Sequence, residues 1–437
     1  MDGDTPHPPA AASKVLDEDG LLAEILLRAA KTESETLPPP PASVSKVFDD
    51  ADLLAEILLR AGLPTTLVRA AAVCRGWLHR ASRRDLLRRF RERQPPGLLG
   101  FYVVEVNCSA APTVPRFVPL PPQPPELAAV VRCAASSVGA YMREHGAPSS
   151  IMDCRNGSLL MRHERHDHDQ TRSTLRAHSL LCTQRGSIVF PGFPVPRLRF
   201  GSSYTYTQVL SKEEGDGVSY FYVSMQSTVD RKHTAYVYML QDGVWVMHSL
   251  TIGQVPPPRS DLEAVFVDNK IYMPAAKSDV VVLDLTASTF STIQLPHGVE
   301  HVARNTILSR ADDAAGVYLI NVKELELCIW LHKGGDWLLV DSICLRDMLA
   351  GLSMLDGSAS LQIKRVGDKA EFVLLEMMCQ CALYLDIKCR TLHKVYEVTK
   401  EDRYLGDIHP FMMIWPPTFP ALKDYPATAR FAFRFFG

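Results

Sequence analysis

Apolar residues follow a helical period near the start of the chain and a strand period afterwards. Leu53, Leu54, Ile57 and Leu58 recur at spacings of one, three and four, which lays them along one stripe of a helix. Asp49, Asp50 and Asp52 stand at its start, where a carboxylate caps or complements the positive end of a helix. Gly62-Leu63-Pro64 breaks this helix, and Thr65 or Thr66 is placed to cap the next, which runs towards Trp77. Beyond Trp77, Leu78, Leu86, Leu87 and Phe90 among many arginines predict another amphipathic helix. Residues 45–93 therefore read as a small helical domain.

A repeat precedes this domain. Ser13–Ala29 reads SKVLDEDGLLAEILLRA and Ser45–Ala61 reads SKVFDDADLLAEILLRA, 32 residues later. Pro38–Pro41, between the copies, cannot continue a helix and favour an extended linker. The first copy has no counterpart of Leu63-Pro64 or of Val73-Cys74-Arg75-Gly76-Trp77, and a short helix alone is marginal in water. Residues 1–44 are thus expected to be mostly disordered, with a partial duplicate of the first helix at 13–30. That duplicate either competes with the second copy or is a duplication without function.

From residue 98 the period shortens. GLLGFYVVEV is strand-like, whereas Pro112–Pro125 holds seven prolines in fourteen residues and reads as a loop, so 94–135 is expected to be a Pro-rich connection with a first strand. Short apolar or alternating runs then follow one another, among them TAYVYML (234–240), DVVVLDL (279–285), LELCIWLH (325–332) and CALYLDI (381–387). Their central residues Tyr238, Asp284, Trp330 and Asp386 are 46, 46 and 56 apart, a period suited to four-stranded propeller blades. A sandwich is the competing all-β arrangement, but the length fits six or seven blades over 136–430 better. The fold class expected is α+β multidomain: a small N-terminal helical domain followed by an all-β, propeller-like domain.

Composition adds mainly exclusions. The 437 residues are 46% hydrophobic with a formal net charge of −2, a balance that argues against wholesale disorder and against general affinity for membranes or nucleic acid. No apolar run approaches the roughly 18 residues that span a bilayer, and the acidic, Pro-rich start is unlike a signal peptide. The expected location is cytoplasmic, nuclear or both. Ten cysteines include no C-x-x-C pair, so neither a disulfide framework nor a zinc finger is expected. Residues 69–93 carry nine Arg against Asp85 and Glu92, which reads as a solvated helix face because no aromatics interleave for base stacking.

Candidate chemistry is sparse. His163, His166 and His168 in MRHERHDHDQ fail the zincin spacing, since His163 to His166 is a step of three, and they are expected in a polar loop between strands. No nucleophile elbow, phosphate loop or dinucleotide fingerprint is present. No catalytic residue, metal or cofactor is therefore expected, and the chain is expected not to be an enzyme. Trp245, Trp330, Trp337 and Trp415 are candidate contacts of a propeller face, though aromatic residues in blades more often pack between blades.

Asp52-Leu53-Leu54-Ala55-Glu56-Ile57-Leu58-Leu59-Arg60, Leu63-Pro64, Leu67 and Val73-Cys74-Arg75-Gly76-Trp77 resemble the F-box, the module of the substrate receptors of SCF-type (Skp, cullin, F-box) ubiquitin ligases. Asp52-Leu53 replaces the family's usual Leu-Pro, and Ala61-Gly62 is inserted before Leu63. The segments 153–161, 280–296 and 327–345 resemble strand motifs of the F-box-associated propeller of plant F-box proteins, grass members included. The resemblance implies that Leu53, Leu54, Ile57, Leu58, Leu63, Pro64, Leu67, Val73, Cys74 and Trp77 bind the Skp adaptor, and through it the cullin and RING subunits. Physical reasoning agrees in part: about 45 residues cannot hide all these apolar side chains, so some surface should seek a partner. The alternative is a propeller interaction protein with a degenerate F-box. Nothing in the residues names the substrate or the side chains that hold it.

Overall fold

The structure is a computed structural model. It describes residues 51–413, leaving out 61, 74, 95–96, 108–114, 121–124, 147, 149, 168–169, 181–186, 195–202, 215–216, 229–231, 303, 312–315, 355–359, 378–380 and 399–402. The duplicate at 13–30 and Trp415 lie outside the described residues. The chain divides into two compact units, one built mainly on Met1–Pro96 and one on Gly97–Ile414.

The first unit contains helices α1 (Ala51–Leu59), α2 (Pro64–Ala71), α3 (Arg75–Ala81) and α4 (Arg84–Arg93). The expected capping by Thr65 or Thr66 is corrected: α2 starts earlier, with Pro64 at its first position and extended Leu63 before it, and no side chain caps it. Proline fits there because the first amide has no helical partner and the ring presets φ. The helix expected after Trp77 is split. The Ser82 hydroxyl donates back to the Leu78 carbonyl (2.7 Å), which satisfies the end of α3 and lets α4 begin two residues on. Leu54, Leu58, Leu59, Leu67, Trp77, Leu78, Leu86, Leu87 and Phe90 form one core.

The second unit is a six-bladed β-propeller. Five four-stranded blades follow one another: β3–β6 (Ser150–Arg155, Ser158–Asp167, Gln170–Ser179, Ser187–Val189) and β7–β10 (Ser203–Glu214, Gly217–Ser227, His233–Gln241, Val244–Gly253) are the first two. The next are β11–β14 (Val265–Val267, Lys270–Pro274, Asp279–Asp284, Thr289–Gln294) and β15–β18 (Thr306–Arg310, Val317–Lys323, Glu326–Lys333, Asp336–Cys344). The fifth is β19–β22 (Leu361–Val366, Phe372–Met377, Cys381–Asp386, Thr391–Glu397). Tyr238, Asp284, Trp330 and Asp386 all fall on the third strand of their blade, so the sequence period is the blade period. Two-residue turns such as Asn156-Gly157 and Asp242-Gly243 join strands with both φ positive, the hairpin geometry whose twist matches the strands.

The sixth blade has three strands and mixes the two ends of the unit: β1 (Leu98–Asn107) and β2 (Arg116–Pro119) pair with β23 (Arg403–Met412) in the order β2-β1-β23. Contacts of β3 with β7, β7 with β11, β11 with β15, β15 with β19, β19 with β23 and β23 with β3 close the innermost strands into a circle. Gly406 is needed in this blade, since a Cβ there would meet the Val104 carbonyl oxygen at 2.6 Å.

The stretch expected to be a connection is therefore corrected. β1 belongs to the propeller, a second strand lies inside the proline run, and a helix, α5 (Ala128–His145), crosses residue 135. Proline is tolerated in β2 because it is the edge of its sheet. α5 packs on β2; Tyr102 of β1 donates to the Ala134 carbonyl of α5 (2.9 Å), and the Tyr141 hydroxyl meets His163 Nε2 of β4 at 2.6 Å. The helix straps the sixth blade to the first.

Five histidines of the propeller, His178, His233, His301, His332 and His409, have their pKa lowered from the ordinary 6.5, in each case chiefly by burial. The folded state holds them neutral while the unfolded state takes up protons below that value, so stability is full above it and falls as pH drops through it. Urea unfolding followed at about pH 7.5 and about pH 5.5 will give the lower midpoint at the acid value, corresponding to an unfolding free energy smaller by on the order of 1–3 kcal/mol. An unchanged midpoint would mean these imidazoles are protonated alike in both states.

Candidate functional site

In the helical unit the structure separates two groups among the ten residues the sequence singled out. Leu54, Leu58, Pro64, Leu67 and Trp77 are buried, the four other than Pro64 within the common core. In the described structure these side chains pack the helices against one another. Leu53 is 48% exposed, and Ile57, one turn further along the same side of α1, is half-buried, as are Leu63 and Val73. Cys74 lies outside the described residues. Leu53, Ile57, Leu63 and Val73 are the members of this set that keep exposed surface among the described residues.

Charge arranges the same unit. Glu56 of α1 accepts from Arg89 and, at 3.2 Å, from Arg93, both on α4. These hydrogen bonds hold its carboxyl below the usual value of 4.5. The pair is exposed and adds little stability, but it fixes which side of α1 faces α4. Nothing in the spacing of the arginines singled out Arg89 and Arg93 from the rest. A search for acids on the apolar helix facing a basic helix is the signal that finds them.

The propeller holds a ring of charge on and beside its innermost strands. Arg155 binds Asp153 (3.1 Å) and Asp368 (3.0 Å), and Arg310 reaches the same Asp368 at 3.1 Å. The Ser211 hydroxyl donates to Asp153. Arg365 pairs with Glu263 and donates through Nε to the Ile408 carbonyl (3.1 Å). These residues come from all six blades or the segments entering them. The contacts neutralise the charges and tie the blades together.

Tryptophans expected mainly between blades do pack there. The Trp245 indole donates to the Pro191 carbonyl (3.1 Å) beside Phe190, Phe193 and Tyr222. Trp337 donates to Gln294 of the preceding blade (2.7 Å), and Trp330 packs on a core shared by the same two blades. The histidine-rich segment is not a loop: His163 and His166 lie in β4, and His163 is taken up by Tyr141. His168 lies outside the described residues. Among the described residues no three His, Cys, Asp or Glu side chains gather as metal ligands, and no helix is long and apolar enough to cross a membrane.

Fold and surface together define a six-bladed propeller protein with an N-terminal helical unit. A family model described as F-box protein AT5G49610-like, beta-propeller, matches residues 150–419, more than half of the chain, and the chain belongs to that family. No curated protein matches the chain. Among solved structures, the β-propeller domain of Cps50 (Swd1) from Myceliophteria thermophila is similar at 9% identity and a TM-score of 0.34, covering 58% of this chain and 88% of that one. Apo AztD from Citrobacter koseri is similar at 7% identity and a TM-score of 0.33, covering 72% and 98% respectively. Likeness at this level carries no functional content.

Proposed function

We propose that the protein is the substrate-recognition subunit of an SCF-type ubiquitin ligase, acting in the cytoplasm, the nucleus or both. The helical unit would bind a Skp-type adaptor, and the propeller would hold a target protein. The observation that carries this reading is the joint occurrence, in one chain, of the ordered F-box pattern from Asp52 to Trp77 and a propeller of the F-box protein family. Such a subunit performs no bond chemistry itself. It raises the local concentration of the target beside a conjugating enzyme recruited by the other subunits, which converts a bimolecular encounter into a nearly intramolecular one. The rigid blades would present the target-binding residues on their connecting loops.

The test separates surface from core. Calorimetry of the full chain against a purified Skp-type adaptor should show binding that Leu53→Asp with Ile57→Asp weakens at least about tenfold, the loss of two interface anchors of about 1 kcal/mol or more each. The helical circular dichroism of that variant should remain. Absence of binding by the folded wild-type chain would leave the alternative, a propeller interaction protein with a degenerate F-box.

A further inference from the structure

The outer strands of the blades differ in how they meet solvent. A sheet edge offers a row of free amide and carbonyl groups, and proteins guard it with charge, proline or brevity. β2 ends in Pro119, and β6 is three residues long. β14 exposes Thr289, Ser291, Thr292 and Gln294, and β22 exposes His393, Lys394 and Glu397. β18 exposes Leu338, Leu339 and Val340, but Asp336 and Asp341 stand on it, and Arg390 binds both Asp341 (2.6 Å) and the Ser342 carbonyl (3.3 Å). β10 has none of these guards. It is ten residues long, is the outermost strand of its blade, contains no Pro, Asp, Glu, Lys or Arg, and leaves Val244, Val246, Met247, Leu250 and Ile252 43–59% exposed. Among the described residues it has a strand partner on its β9 side alone.

We propose that β10 is the contact of a two-fold dimer, pairing antiparallel with β10 of a second copy of the chain. The strand supplies its own complement. Trp245, Met247, Leu250 and Ile252 lie opposite Leu240, Tyr238, Tyr236 and Thr234 of β9, which alternate along that strand, so the four share one face of the sheet. A two-fold axis between His248 and Ser249 sets Met247 against Leu250 of the second copy and Trp245 against its Ile252, each pair on that same face. The bulge between Met247 and Ser249 falls on the axis, so the irregularities of the two strands coincide and the paired runs on either side are equal. Apart from His248 no side chain of β10 can carry a charge, and the strands meet without repulsion. The exposed parts of the five aliphatic side chains and the strand edges amount to roughly 1,000 Å² over two copies, the low end of specific interfaces. A dissociation constant on the order of 10 μM follows. The dimer rests on the sheet edge alone and is independent of the function proposed above.

Sedimentation equilibrium of the full chain between about 1 and about 100 μM should follow a monomer–dimer equilibrium. Met247→Lys with Leu250→Lys, both at exposed positions, should weaken it at least about hundredfold while the thermal transition of the monomer is kept. Disulfide trapping reads the register: a Met247→Cys chain mixed with a Leu250→Cys chain in a glutathione buffer should join through these two positions, identified by peptide mass spectrometry, and neither chain should join to itself there. Amide hydrogen exchange needs no substitution. The outward amides of Val244–Gly253 should exchange about fourfold more slowly at about 100 μM than at about 1 μM, with those of β18 unchanged. A wild-type chain that stays monomeric at about 100 μM overturns the proposal, as does a dimer that persists in the lysine variant or one that traps cysteines only elsewhere in the chain.

Discussion

Residues 150–414, produced without the strands before them, will not show the single cooperative thermal transition of residues 97–414. The shorter fragment coincides with the start of the family match, yet it lacks β1 and β2, and β1 pairs with β23 from Leu98 to Asn107. Phe101, Tyr102 and Val103 are wholly buried and Leu99 nearly so. At about 1.5–3 kcal/mol for each large side chain, their removal is comparable with the 5–15 kcal/mol net stability of a typical domain. β23 then presents an unpaired edge in the middle of the ring, and the strap α5, which lies before residue 150, is missing as well. Phe101→Ala in the full chain provides a graded version, expected to cost about 3–5 kcal/mol. Equal melting temperatures and a monomeric state for both fragments would show that five blades close without the sixth.

The second large effect lies in the fifth blade. Lys364 Nζ and Glu376 Oε2 are 2.6 Å apart with side chains 6% and 1% exposed; they meet as an ion pair rather than through a well-directed hydrogen bond. Glu376→Ala leaves an ammonium group without its counter-charge in a dry site, and about 3–5 kcal/mol of stability should be lost. Lys364→Met combined with Glu376→Leu removes both charges and should restore most of that loss, since hydrophobic replacement of a buried pair is often neutral or stabilising. Chemical denaturation of the two single variants and the double variant measures the coupling. A double variant as unstable as the two single losses added together would exclude a charge-pair origin.

The parts of the molecule legible in the sequence were those with strong periods. Blade strands rich in Val, Leu and Tyr, recurring 46, 46 and 56 residues apart, located the third strand of four successive blades. α5 escaped because the residues it buries, Ala134, Ser137, Val138 and Tyr141, have the right helical spacing but mostly small side chains, so hydropathy does not mark its stripe. β2 escaped because prolines surround it, and only its place at a sheet edge makes them tolerable. The helical module was identified by pattern, but the same leucines serve as core and as surface in any amphipathic helix. Only packing shows that Leu58 faces inward while Leu53 remains open. The ionic ring was not legible at all, since Arg155 and Asp368 meet across 213 positions of sequence.

The hybrid sixth blade also sets the order in which the protein can be completed during synthesis. β1 is the first propeller strand to leave the ribosome, and its partner β23 is the last, nearly 300 residues later. At 5–20 residues per second β1 waits roughly fifteen seconds to a minute for its mate. Throughout that interval the apolar run LLGFYVVEV has one ladder edge vacant, the profile of a segment that recruits foreign strands. Yield in the cell will consequently depend on how well nascent-chain chaperones shield this one strand, and solubilising changes placed there will act before folding ends rather than after it.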